Sequence, residues 1–171
     1  MTGTTTAKKA TACDAAKRVL SPEKDAAWLG FMRAHAAVSK SLDADLLHNF
    51  GLQLSGFEVL ASLEMADGDE GHMRLTDLAK NAGLSQSRIS RLVVELERGG
   101  LLERVNCPAD NRVVWVSITD DGRTLLRQIE DQHFKAIDER FFSNLSASEI
   151  KQLASIWPRI LESACSGSSS R

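Results

Sequence analysis

The chain has 171 residues, 43% hydrophobic and 26% charged, with a formal net charge of −2. That composition suits one globular domain, or one domain with an added dimerisation element, and excludes a wholly disordered chain. No apolar run approaches the ~18 residues of a membrane span, and the start lacks a signal-peptide core, so a cytoplasmic protein with no membrane partner is expected.

Residues 1–20 ("MTGTTTAKKATACDAAKRVL") are small and polar without apolar period and read as a flexible arm; residues 166–171 ("SGSSSR") read as a flexible tail. Ser21 and Pro22 have the cap-then-proline order of a helix start. Trp28, Phe31, Met32, His35, Val38, Leu42, Leu46 and Leu47 then recur at helical spacing up to Gly51, giving one long helix within residues 21–53. A second helix is predicted after Ser55-Gly56, carrying Phe57, Leu60 and Leu63. "RLTDLAKNAG" predicts a short helix capped by Thr76 and closed by Gly83. Ser85 caps the next, with Ile89, Leu92, Val93 and Leu96 on one face and Gly99-Gly100 as its stop.

Beyond that stop the period changes. "LLERV" and "RVVWVSI" flank "NCPADN", a turn sequence, and predict a two-stranded hairpin in which Val114, Val116 and Ile118 share a face. Thr119 caps a further long helix bearing Leu125, Leu126, Ile129, Phe134, Ile137, Phe141 and Phe142. Ser146 and Glu149 have capping-box spacing and open a last helix containing Pro158.

Short helix, glycine turn, amphipathic helix and hairpin is the order of a winged helix-turn-helix. At about 100° per residue, Ser87, Arg91, Val94 and Arg98 point away from the apolar face of the second of these helices, with Arg88 and Ser90 on its flanks. The start of that helix holds hydroxyls, an amide and guanidiniums but no acid, and its positive end suits a phosphate backbone. In helix-turn-helix proteins this end meets base edges in the major groove. Asp110 and Arg112 lie at the hairpin tip, where a carboxylate orients a guanidinium; an arginine so held can enter a narrow minor groove, while a structural ion pair is the other reading.

The run "LTDLAKNAGLSQSRISRLVVELERGGLLERVNCPADNRVVWVSITDDGRTLL" resembles the MarR family of bacterial transcription regulators. The resemblance rests on the Leu-Thr start of the short helix, the serine-rich recognition helix, the Gly-Leu exit, and the D-x-R tip. Asp110, Arg112, Thr119 and Gly122 match the pattern, and the likeness covers residues 22–163. It implies a mostly α fold with a small β-hairpin wing: a winged helix-turn-helix lobe (54–121) between interleaved N- and C-terminal dimerisation helices (21–53 and 122–165). It further implies an obligate homodimer on a pseudo-palindromic DNA operator, acting as a repressor released by a small aromatic, anionic ligand. Carried over to this chain, Ser85, Gln86, Ser87, Ser90 and Arg91 are major-groove candidates and Arg112 with Asp110 the minor-groove candidate; Arg88 is a further DNA-binding candidate on the helix flank, and Arg74 and Lys80 are phosphate candidates on charge and position. The acids Asp43, Asp45, Asp67, Asp69 and Glu70 are expected away from the DNA.

Trp28, Met32 and His35, with Arg33 beside them, form a stripe that suits such an effector between the dimerisation helices and the lobe; dimer core is the alternative. Cys107 offers an oxidation-responsive alternative, and a winged helix used only for protein interaction is another. Cys13, Cys107 and Cys165 are odd in number and widely spaced, so neither a disulfide framework nor a CxxC zinc pattern is present. Asp45-x-x-His48 supplies two ligands only, which does not define a metal site. No nucleotide-binding or nucleophile motif occurs, so neither a cofactor nor an enzyme is expected.

Overall fold

The computed structural model describes residues 20–66, 72–107 and 110–166, with side chains at all of these except 106–113, 165 and 166. In chain order the elements are α1 (Pro22–Phe50), α2 (Leu54–Glu64), β1 (His72–Arg74), α3 (Leu75–Asn81), α4 (Gln86–Arg98), β2 (Leu102–Cys107), β3 (Asp110–Ile118), α5 (Asp120–Arg140), a 3-10 turn (Phe142–Asn144) and α6 (Ala147–Ser166). The chain divides into two compact units, Met1–Ala36 and Ala37–Arg171.

In the first unit, the N-terminal part of α1 exposes Trp28, Leu29, Phe31 and Met32. Trp28, Phe31 and His35 sit ring beside ring, with centroids 6.0 and 6.1 Å apart. Of the apolar positions at helical spacing along α1, only Leu42 and Leu46 are buried, and both belong to the second unit.

The core of the second unit draws on every layer around it. Val59, Leu60 and Leu63 of α2, Leu78 of α3, Ile89 and Val93 of α4, Val116 of β3 and Ile129 of α5 are all buried in one cluster. Each such side chain removed from water stabilises the fold by about 1.5–3 kcal/mol. Val116 and Ile118 face that core as the alternation predicts, with Val114 half-buried.

The sheet corrects the two-stranded reading. It has three antiparallel strands in the order β1-β3-β2, with β3 central. His72, Met73 and Arg74 pair with Ser117, Val116 and Trp115. Three residues carry no readable period, so the strand is visible only once β3 supplies its partner. The same ladder moves the start of α3. Arg74, still extended at φ −66° and ψ 139°, is the N-cap residue and supplies no side-chain cap, so Thr76 lies inside the first turn. Asp77 in that turn meets the positive helix end instead.

Helix α2 also begins earlier than Ser55-Gly56 suggests, at Leu54, and its cap comes from another element. The Leu54 amide donates to Asp43 Oδ1 of α1 at 2.7 Å. Gly56 is buried inside the helix, where an added Cβ would lie 2.7 Å from Leu52 Cδ1. Helix α5 stops at Arg140, so Phe141 and Phe142 stand in the turn beyond it rather than on it. The capping box of α6 forms as its spacing predicts: the Ser146 amide donates to Glu149 Oε2 at 2.7 Å, and the Glu149 amide to Ser146 Oγ at 3.4 Å. Hydrogen bonds from the Ser146 hydroxyl and amide hold the Glu149 carboxyl below the usual carboxylate range.

Candidate functional site

Helix α4 is built to show one polar face. Ile89, Leu92, Val93 and Leu96 are buried, which fixes its rotation and leaves Gln86, Ser87, Arg88, Ser90, Arg91, Glu95 and Arg98 exposed. Its entry is the tight turn at Gly83, whose φ of +61° favours glycine. Ser85 then caps the helix, accepting the Arg88 amide at 3.4 Å. No acid stands in the first turn. Arg91 is steadied along the helix surface, its Nε donating to the Ser87 carbonyl at 3.3 Å.

Two shallow grooves run along this face. One is lined by Ser90, Arg91, Val94, Glu95 and Arg98. The other passes between the start of α2 and Arg88, Arg91 and Leu92. The second acid of the helix is occupied elsewhere, because Glu97 pairs with Arg104 of β2 at 3.3 Å. The turn out of α4 uses Gly100 at φ +73°, with the Leu101 amide donating to the Leu96 carbonyl at 3.0 Å.

Ser85, Gln86, Ser87, Arg88, Ser90 and Arg91 therefore share one exposed surface, while the other candidates are placed differently. The Arg74 guanidinium lies over the Trp115 ring, 5.1 Å from its centroid, on the outer face of the sheet. His72 meets the same ring edge-on at 4.6 Å. Lys80 is exposed on α3 and pairs with Asp77 at 3.3 Å. The side chains of Cys107, Asp110 and Arg112 lie outside the described residues, as do Cys13, Asp67, Asp69 and Glu70. Trp28, Met32, Arg33 and His35 are exposed on the first unit and line none of the grooves just described. Asp45, half of the one metal-like pair, is held by Arg140 across from α5. Among the described residues no group of three His, Cys, Asp or Glu side chains could hold a metal, and no helix is long and apolar enough to cross a membrane.

Sequence reasoning missed the ion pairs that hold this surface in place. Glu97 and Arg104 flank the glycine stop, and Arg123 of α5 reaches Glu64 of α2 across 59 positions of chain. It also missed His133, buried on α5 against Phe57 with ring centroids 4.3 Å apart. Burial pushes the His133 imidazole below the ordinary histidine value. The signal available was its i, i+4 spacing from Ile129, a core residue of the same helix.

Helix α3, the Gly83 turn, the exposed face of α4 and the sheet beside it define a winged helix-turn-helix protein. Residues 56–106 match the IclR helix-turn-helix domain, a stretch from α2 into β2 that leaves out the flanking helices. The HTH-type transcriptional regulator MhqR of Bacillus subtilis (strain 168) is 30% identical over 128 residues, 75% of this chain and 84% of that protein. YdgJ, an uncharacterized HTH-type regulator of the same organism, is 28% identical over 110 residues, and the chain spans 64% of its length. Among solved structures, the MarR family regulator Sco3205 from Streptomyces coelicolor, in complex with DNA, superposes with a TM-score of 0.79 at 28% identity. It covers 88% of this chain and 92% of its own. AbsC, a MarR family regulator from the same organism, gives 0.78 at 26% identity, covering 87% and 99%. The chain belongs to the MarR family of transcription regulators, and is a DNA-binding regulator rather than an enzyme.

Proposed function

We propose that this regulator is a cytoplasmic homodimeric repressor that occupies a pseudo-palindromic operator and leaves it when a small molecule binds. The observation that carries the DNA-facing part is the acid-free, Ser85-capped start of α4, exposing Gln86, Ser87, Arg88, Ser90 and Arg91 on one surface. A helix end of this kind offers hydrogen-bond donors and positive charge where bases and phosphates are read. Sco3205, 28% identical, was solved on DNA, which supports placing this surface on a duplex. The relatives YetL and MdtR of Bacillus subtilis, 26% and 28% identical, are named repressors, which favours repression over activation.

Arg91 reads bases in the major groove and Arg112, at the wing tip with Asp110, works in the minor groove, while Arg74 and Lys80 meet phosphates. Two dyad-related helices then contact half-sites about 34–36 Å apart. The effector enters beside Trp28, Met32 and His35, with Arg33 meeting an anionic group. It acts only through its differential affinity for the DNA-bound and free spacings of the two lobes, and typical coupling of ~1–3 kcal/mol weakens operator binding by ~5–150-fold.

The test is fluorescence anisotropy on an operator selected from random duplex, at several salt concentrations. Arg91→Ala is expected to cost ~1–3 kcal/mol and to relax sequence preference, and Arg112→Ala to lower the salt slope by about one. Equal affinity and equal footprints for wild type and both variants would end the reading. An unchanged operator affinity across aromatic acids would remove the ligand-release part alone.

A further inference from the structure

The two shallow grooves on α4 share two lining residues, Arg91 and Glu95, which stand one turn apart and form the ridge between them. Glu95 is exposed, and its carboxylate takes part in no ion pair among the described residues; Glu97 is the acid of α4 that holds a cation. The nearest cation on the ridge is turned the other way. Arg91 Nε donates back to the Ser87 carbonyl at 3.3 Å, although side chains four residues apart on a helix are within reach of each other.

A free carboxylate beside phosphates only costs affinity, because binding to the duplex backbone is driven by cations. Facing base edges in the major groove, it has a partner. An ionised carboxylate accepts hydrogen bonds and donates none. Guanine shows it O6 and N7, and thymine O4, all acceptors that repel it. Adenine shows an amino group beside the N7 acceptor, whereas cytosine shows the N4 amino group alone.

We infer that Glu95 is a specificity-determining residue that accepts a hydrogen bond from cytosine N4 in each half-site, beside the base read by Arg91. With Nε committed to the helix, Arg91 presents its two terminal nitrogens, a pair that suits guanine O6 and N7. One helical turn rises ~5.4 Å and successive bases are ~3.4 Å apart, so the cytosine lies within about two base pairs of that guanine. The inference rests on the reading that α4 meets duplex DNA, and adds to it the base that the acid of the ridge selects.

The test is selection of bound duplexes from a random pool by the full chain, with base frequencies read across the half-site. Wild type is expected to favour cytosine about tenfold at one position near a guanine. Glu95→Ala is expected to accept all four bases there and to keep the rest of the half-site. Glu95→Gln, whose amide donates as well as accepts, is expected to shift that position to adenine, which offers N6 and N7 together. Both variants replace an exposed side chain that has no partner among the described residues, so the fold is expected to stand. Arg91→Ala is the control for the DNA-facing reading itself. If it relaxes the half-site while Glu95→Ala and wild type select the same sequences, the inference falls and that reading survives. If wild type selects no sequence, both fall. A uniform gain in affinity for every duplex in Glu95→Ala, with no change at any base, would assign Glu95 to phosphate repulsion and likewise overturn the inference.

Discussion

Thr119 donates its hydroxyl proton to the Gly100 carbonyl at 2.7 Å, so the residue that caps α5 is bonded to the turn that ends α4. The Thr119 amide donates to the Leu101 carbonyl at 3.1 Å, and Thr119 Oγ1 accepts the Gly122 amide at 3.0 Å. This junction positions the exit of the recognition helix against the helix that leads out of the lobe. It also leaves no room at Gly122, where an added Cβ would lie 2.1 Å from the Leu101 carbonyl oxygen and 2.8 Å from Ile118 Cγ1.

Gly122→Ala is therefore expected to destabilise the protein by about 3 kcal/mol, because backbone rather than a flexible side chain must give way. Urea unfolding at equilibrium measures this. A midpoint equal to wild type would show that the close approach of α5 to Leu101 is relaxed in solution.

Asp43 performs for α2 what a local cap performs elsewhere, from eleven residues away. Asp43→Ala is expected to cost about 1–2 kcal/mol, since the Leu54 amide loses a charge-assisted partner. Asp43→Asn keeps an acceptor oxygen and is expected to recover most of that loss. If alanine and asparagine are equally damaging, negative charge rather than the hydrogen bond is what α2 requires.

Helix α4 is legible in the sequence because three local signals agree: the Ser85 cap, the apolar face through Ile89, Leu92, Val93 and Leu96, and the glycine stop. The capping box at Ser146 and Glu149 is legible for the same reason. Strand β1 is not, because His72–Arg74 is too short to show a period and becomes a strand only by pairing with Val116 and its neighbours. Thr76 misleads because a hydroxyl near a helix start looks like a cap, whereas the ladder holding Arg74 sets the start one residue before Thr76. Glu64 and Arg123, or Asp45 and Arg140, meet only through tertiary packing that no local rule encodes. The packing of His133 against Phe57 belongs to that class too.

His133 also sets a pH dependence. Its folded value is lowered by burial from the ordinary 6.5, so in acid the unfolded chain takes up the proton more readily than the fold does. The stability linked to it is fully present above ~6.5 and is lost as pH falls through that value toward the folded one. Phe57 of α2 packs against the ring and offers no charge, so burial is what opposes the proton. The urea midpoint of wild type is expected to fall between about pH 7.5 and 5.5 more steeply than that of His133→Gln. Parallel profiles would mean that the imidazole protonates in the fold as easily as in water.

The last prediction concerns assembly. Leu161 and Ile160 of α6 are 63% and 50% exposed, and Phe134 of α5 is 59% exposed, while Trp28, Leu29, Phe31 and Met32 of α1 also face outward. In the proposed homodimer a second copy covers exposed apolar faces such as that of α6, since surfaces of this kind commonly mark an interface. Leu161→Asp places a charge on the exposed apolar face of α6 without touching α4 or its supports. Sedimentation is expected to show wild type as a dimer and the variant shifted to monomer. Each monomer still offers one recognition helix, so binding to a single half-site should persist. Affinity for the full operator should fall by ~10²–10⁴-fold, because the second half-site is no longer delivered at high effective concentration. A variant that remains dimeric would remove Leu161 from the interface. A wild-type monomer with full operator affinity would remove the dimer itself.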